Sequence, residues 1–307
     1  MIEWGLCCIF RREPVKFRRA TVSALRKYPR REQLQRLNEI VRNNAENLRK
    51  AFESCIRLEI SAFRINSELM PLATHPEVGY RLEDLPEAER IAGIFAKARE
   101  YAVRHGLRLS FHPDQFVVLN SPRREVVENS LMELRHQNFL AELCGAGEIN
   151  LHAGGVYGNK AEALTRLRRQ ILGLPDDRRR RLTLENDDRS YTVADLLPLC
   201  RELNVPLVYD VHHHRVNADA LSIEHATAEA MKTWSARGLK PHFHLSSPLI
   251  PWDHTGDHRL HADFIDPADV PPCWRDLNAT VDVEAKAKEE AILKLRQDLA
   301  ASLFFTG

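Results

Sequence analysis

Eight short runs along the chain carry the apolar and β-branched residues of strands: IEWGLCCI (2–9), RLEISAFRI (57–65), LRLSFH (107–112), EINLHA (148–153), RLTLEN (181–186), PLVYDV (206–211), PHFHLS (241–246) and TVDVEA (280–285). Between them apolar residues return at three- and four-residue intervals, the period of an amphipathic helix, as in 31–55, 88–106, 124–145 and 193–204. Gly106 and Gly145 fall just past two of these helices, and Ser190 or Thr192 can cap a third. Strands alternating with helices, with no break in composition, predict an α/β protein: a single-domain (β/α)8 TIM barrel spanning 1–307. The segment Ser247 to Pro272, rich in Pro, Trp, His and Asp, reads as a long seventh loop with a short helix.

Composition narrows the setting more than the fold. Apolar residues make up 44% and charged ones 28%, with a net charge of only +1, so the chain as a whole is not a basic nucleic-acid binder. No run is long enough to span a membrane, and the N-terminal MIEWGLCCIFRREP lacks the plan of a signal peptide, so a cytoplasmic location is expected. Cys7, Cys8, Cys55, Cys144, Cys200 and Cys273 form no C-x-x-C pair, which suits buried thiols. Charge is nevertheless uneven: from Arg11 to Arg31 nine Lys or Arg residues face one acid, Glu13.

In such a barrel the active site is built at the C-terminal strand ends. Read in order, those ends supply Arg64, His112, His152, Glu185, Asp210 with His213, His244 and Glu284, and the seventh loop adds His261 and Asp263. Imidazoles and carboxylates converging without cysteine are ligands for Zn²⁺, Mn²⁺ or Fe²⁺, in numbers that imply two or three ions. Strand alternation places His212 on the far side of the backbone from His213, and His214 in the loop beyond. His105, His136 and His225 fall in helical patterns and read as structural or surface residues, and Arg178 to Arg181 as a solvated turn at the opposite mouth.

The segments FRINSELMPLATHPEVGY, LSFHPDQFVVLNSP, VENSLMEL, LHAGG, LTLENDDRSYTVADLL, PLVYDVHHH, FHLSSP, HADFI and VDVEAKAKE together resemble the UV damage endonuclease family from Phe63 to Glu289. That family is similar in fold to endonuclease IV and more distantly to xylose isomerase. The resemblance implies nicking immediately 5′ to ultraviolet photoproducts and some other lesions, leaving a 3′-hydroxyl and a 5′-phosphate. It implies a cluster of two to three divalent ions, manganese foremost, with zinc or iron as alternatives.

By motif, one ion falls to His112, His152 and Glu185, and a second to Glu185, Asp210, His244 and Glu284. A third falls to His213 and His261, with Asp263 as an added ligand. Glu185 acts as the bridging carboxylate, while His75 and Lys286 match positions that touch phosphate or water at the cluster. Gln115 and Phe116 match a polar and aromatic pair that fills the gap at a distorted base pair. Leu6 takes the place of an aromatic near the end of strand one, and His242 that of a lysine, as a ligand or part of the wall. Arg18 and Arg19, in the basic stretch, are expected on phosphates. The expected partner is damaged double-stranded DNA, met by a monomer with no membrane contact. A sugar isomerase and an abasic-site nuclease of the same barrel superfamily are the rival readings.

Overall fold

Alternation along the strands decides which side chains line the barrel. In the computed structural model, which describes residues 1–304, the strands are β1 (Glu3–Cys7), β2 (Ala62–Ile65), β3 (Arg108–Phe111), β4 (Glu148–His152), β5 (Leu182–Glu185), β6 (Leu207–Asp210), β7 (His242–Leu245) and β8 (Thr280–Val283). They pair in parallel, in sequence order, and β8 closes on β1. Residues 305–307 of the expected domain lie outside the described residues.

One set of alternating positions is apolar: Phe63, Ile65, Leu109, Phe111, Ile149, Leu151, Leu182, Leu184, Phe243, Leu245, Val281 and Val283 are buried in the hydrophobic cluster that joins strands to helices. The other set fills the barrel interior, where branched apolar side chains usually sit. Here those positions hold Arg64, Arg108, Glu148, Asn150, Glu185, His242, His244 and Asp282, joined to one another by hydrogen bonds and ion pairs. A polar barrel core costs desolvation and persists only when its charges are paired.

This alternation corrects one expectation. Gly5 faces the interior, where an added Cβ would overlap the Asp282 carboxylate, so its neighbour Leu6 points outward and is fully buried among apolar side chains. Leu6 therefore cannot probe DNA. From this first loop Cys8, Ile9 and Arg19 line the cavity at the C-terminal mouth, with Ile9 45% exposed.

The helices follow the apolar periodicity, the longest running Arg30–Arg57. RLEISAFRI begins within that helix, which ends through Leu58 and Glu59 (φ 55°) before β2 starts at Ala62. Gly145 ends the helix Arg124–Cys144 with φ 82°, a left-handed cap that glycine adopts without strain. The seventh loop doubles back through an antiparallel bridge between Pro248 and His261, and the short helix expected there takes the form of two 3₁₀ helices, Pro267–Asp269 and Pro272–Trp274. All six cysteines are free thiols, and among the described residues no helix is long and apolar enough to cross a membrane.

Candidate metal centre and DNA-facing crater

Strand register brings the expected ligands together. Paired positions place His152 beside Glu185 and Asp210 beside His244, so four donors reach the crater from adjacent strands. His112 Nε2 lies 3.0 Å from Glu185 Oε2, and His244 Nδ1 lies 3.2 Å from Glu185 Oε1. The His112 and His152 rings are 4.9 Å apart. Two groups of donor atoms close enough to share one ion result: His112, His152 and Glu185, and then Glu185, Asp210 and His213. Glu185 belongs to both.

Glu284 and His261 stand further out. Glu284 Oε1 is 3.5 Å from His244 Nδ1, and His261 Nδ1 is 3.9 Å from Glu284 Oε2. The rings of His261 and His213 are 6.5 Å apart. Asp263 is exposed and joins none of the ligand groups.

The histidine triplet has a different local structure from the one expected. A helix, Val211–Val216, begins directly after β6, and Asp210 caps it by accepting the His213 amide at 2.7 Å. Helical spacing rather than strand alternation then separates the three rings. His213 turns into the ligand cluster, while His214 bonds the Tyr209 hydroxyl at 2.7 Å and is structural. His212 is buried against His261 and Trp252 with neither ring nitrogen hydrogen-bonded. His242 lines the wall beneath the ligands, between Glu148 and Asp282.

Two supports escape a reading of the sequence. Asn150 donates to Glu185 from below and is itself held by Thr183 Oγ1 at 2.9 Å. Asn186 exchanges two bonds with the Asp210 backbone, at 2.9 and 3.0 Å, and its carbonyl meets His213 Nδ1 at 3.0 Å. Their signal in the sequence is slight: each lies within two residues of a ligand, and Asn150 is inward by alternation.

The centre fits cations on two grounds. His152 Nδ1, Asp210 Oδ2 and His244 Nδ1 are buried without a hydrogen-bond partner, and unpaired polar atoms of this kind are costly unless a ligand uses them. The site is also short of positive charge. Burial opposes a charge on Glu185, yet His244, His152 and His112 outweigh it and hold the carboxyl well below its usual range. Burial lowers His112 to about 4, leaving it a neutral donor at neutral pH. His213 is pushed the other way: burial disfavours its charge, but Asp210 and Glu185 raise it well above the ordinary value.

Above the centre opens a cavity of about 1350 Å³. His75, Phe116, Lys286, Arg19 and His112 line it, along with Ile9 and Leu260. His75 Nδ1 accepts the Glu77 amide at 3.2 Å. Phe116 is 78% exposed, which excludes core packing as its role, and Gln115 beside it is exposed too. Arg18 is exposed with no side-chain partner among the described residues, whereas Arg19 pairs with Glu68 at 2.7 Å.

The family model described as UV-endonuclease UvdE matches residues 4–303. The chain belongs to the UV damage endonuclease family. A UV DNA damage endonuclease of Bacillus cereus (strain B4264) is 31% identical over 289 residues, covering 92% of this chain and 88% of that protein. The crystal structure of SacUVDE superposes with a TM-score of 0.85 at 26% identity, covering 98% and 99% of the two chains. Endonuclease IV from Thermus thermophilus shares the fold, with a TM-score of 0.57 at 17% identity over 83% of this chain and 94% of that one. As a UV damage endonuclease relative this chain is a DNA repair nuclease, and its strand-end residues could hold metal ions.

Proposed function

We propose that the protein nicks damaged duplex DNA immediately 5′ to ultraviolet photoproducts, leaving a 3′-hydroxyl and a 5′-phosphate, with two to three divalent ions, manganese foremost. The observation that carries this reading is the cluster of orphaned donors around Glu185, set in a cavity wide enough for a nucleotide and rimmed by an exposed phenylalanine. His112, His152 and Glu185 would hold one ion, and Glu185, Asp210, His244 and Glu284 a second. His213 and His261 would hold a third. When bound, such ions supply charge for the scissile phosphate and lower the pKa of a coordinated water.

The remaining work falls to side chains of this chain. Glu185 spans both donor groups and sets their separation, while Asn150 fixes its orientation. His75 and Lys286 face the cavity as donors to phosphate oxygens. Phe116 and Gln115 would enter the duplex at the distorted pair, offsetting unstacking with contact to the exposed base.

The test is one labelled duplex carrying a cyclobutane dimer, a 6-4 photoproduct, an abasic site or no lesion, assayed with Mn²⁺. Cleavage 5′ to the photoproducts is expected, and exclusive cleavage at the abasic site would favour the endonuclease IV type of activity. Glu185→Gln should abolish nicking with the melting temperature kept; retained cleavage moves the site elsewhere. Phe116→Ala should lower cleavage of the dimer duplex at unchanged metal content, and equal cutting refutes the wedge.

A further inference from the structure

A third group of donors, His242, His244 and Asp282, lies deeper in the barrel than the two already described. It is occupied by a side chain. The Arg64 guanidinium reaches Asp282 Oδ2 through Nε at 3.2 Å, His244 Nε2 through Nη2 at 2.8 Å, and Glu284 Oε1 through Nη1 at 2.6 Å. Arg64 thus already supplies the positive charge that an ion would bring.

Below it the charges continue to alternate. Asp282 Oδ1 stands 3.1 Å from His242 Nε2, His242 Nδ1 2.7 Å from Glu148 Oε2, and Glu148 Oε1 2.9 Å from Arg108 Nε. Arg108 also donates to Thr280 Oγ1 at 2.9 Å and to the Lys240 carbonyl at 2.8 Å, near the opposite mouth. A continuous column of paired charges therefore runs from the floor of the barrel to two of the ligands.

Asp282 is the hinge of this column, and its seat is cut into the neighbouring strand. Gly5 pairs with Asp282 across β1 and β8, and the carboxylate occupies the space a Cβ at position 5 would need. His244 supplies the reason for such a seat. Arginine can only donate, so His244 Nε2 accepts from Arg64, which leaves Nδ1 as the ring nitrogen facing Glu185.

We propose that Asp282, seated by Gly5 and paired with His242, is a positioning residue that holds the Arg64 guanidinium between His244 and Glu284 and so sets where these two groups stand. This rests on the metal reading given above. It predicts that metal affinity depends on a residue that is not itself a ligand.

The experiment measures Mn²⁺ affinity of the metal-stripped protein, by the electron paramagnetic resonance signal of free Mn²⁺, beside thermal melts of the same samples. Asp282→Asn, which keeps shape but loses charge, and Gly5→Ala, which crowds the seat, should each weaken binding by roughly 10- to 100-fold, the usual effect of losing an outer partner. Gly145→Ala, strained at a left-handed cap on the opposite side of the fold, serves as a control: it should lower the melting temperature and leave Mn²⁺ affinity unchanged. A parent that binds no Mn²⁺ overturns the metal reading and this inference with it. A parent that binds, with both variants binding equally well, overturns this inference alone. Loss of a cooperative melt in both variants would assign Asp282 to folding and reject positioning.

Discussion

His212, His213 and His214 are the same residue three times in succession and have three different surroundings. His213 faces the carboxylates of Glu185 and Asp210, His214 caps the Tyr209 hydroxyl, and His212 packs on Trp252. His213→Ala should therefore lower Mn²⁺ content with little change in melting. His214→Ala should do the reverse, costing about 1–3 kcal/mol because the buried Tyr209 hydroxyl loses its partner. Metal analysis beside a denaturant titration separates the two, and similar behaviour of both variants would refute the division. The residue types of the site are legible in the sequence because strand ends expose them at a regular spacing. The triplet departs from that reading for a local reason: Asp210 starts a helix by capping it, so the period changes from two to 3.6 at that residue. Leu6 departs from its expected place because β1 alternates about Gly5, whose small size is what the interior requires.

At the scale of elements, the eight strands are legible because each combines outward apolar residues with turn signals, and only ends such as that of RLEISAFRI shift, where a helix runs on to Arg57. The seventh loop is the least legible, since its shape rests on contacts between distant residues. Its arm is held at the base by backbone bonds of Leu249 to Leu260 (2.6 Å) and Ala262 to Ser247 (2.9 Å), and at the side by Trp252, whose Nε1 donates to Asp269 at 2.8 Å. Unlike the other proposed histidine ligands, His261 is carried by this arm rather than by a strand end or the short helix Val211–Val216. Trp252→Ala should therefore make one ion easier to strip while the others stay, giving a biphasic chelator titration. A single phase identical to that of the parent would show that the arm keeps its shape without Trp252.

Across the whole molecule, a net charge of +1 conceals a basic stretch in which four of the nine cations, Arg11, Arg12, Arg19 and Arg26, are already paired with acids. Arg12 pairs with Glu290 at 2.8 Å, Arg19 with Glu68 at 2.7 Å and Arg26 with Glu77 at 2.7 Å, whereas Arg18 has no such partner among the described residues. If DNA lies along this stretch, Arg18→Ala should flatten the salt dependence of binding by about 0.9 per lost phosphate contact, and Arg19→Ala by less. Equal effects in titrations at several salt concentrations would contradict this. The consequence of the pairing is that, with DNA along this face, Glu68, Glu77 and Glu290 would act as built-in competitors of the DNA backbone, tethered at the sites that phosphates would take. Binding along this face then becomes an exchange, in which each new contact must first displace an old one. Glu68→Gln with Glu290→Gln should make the protein adhere more tightly to intact duplex and search it more slowly. The native glutamates, on this view, keep the protein moving until a lesion gives it a reason to stop.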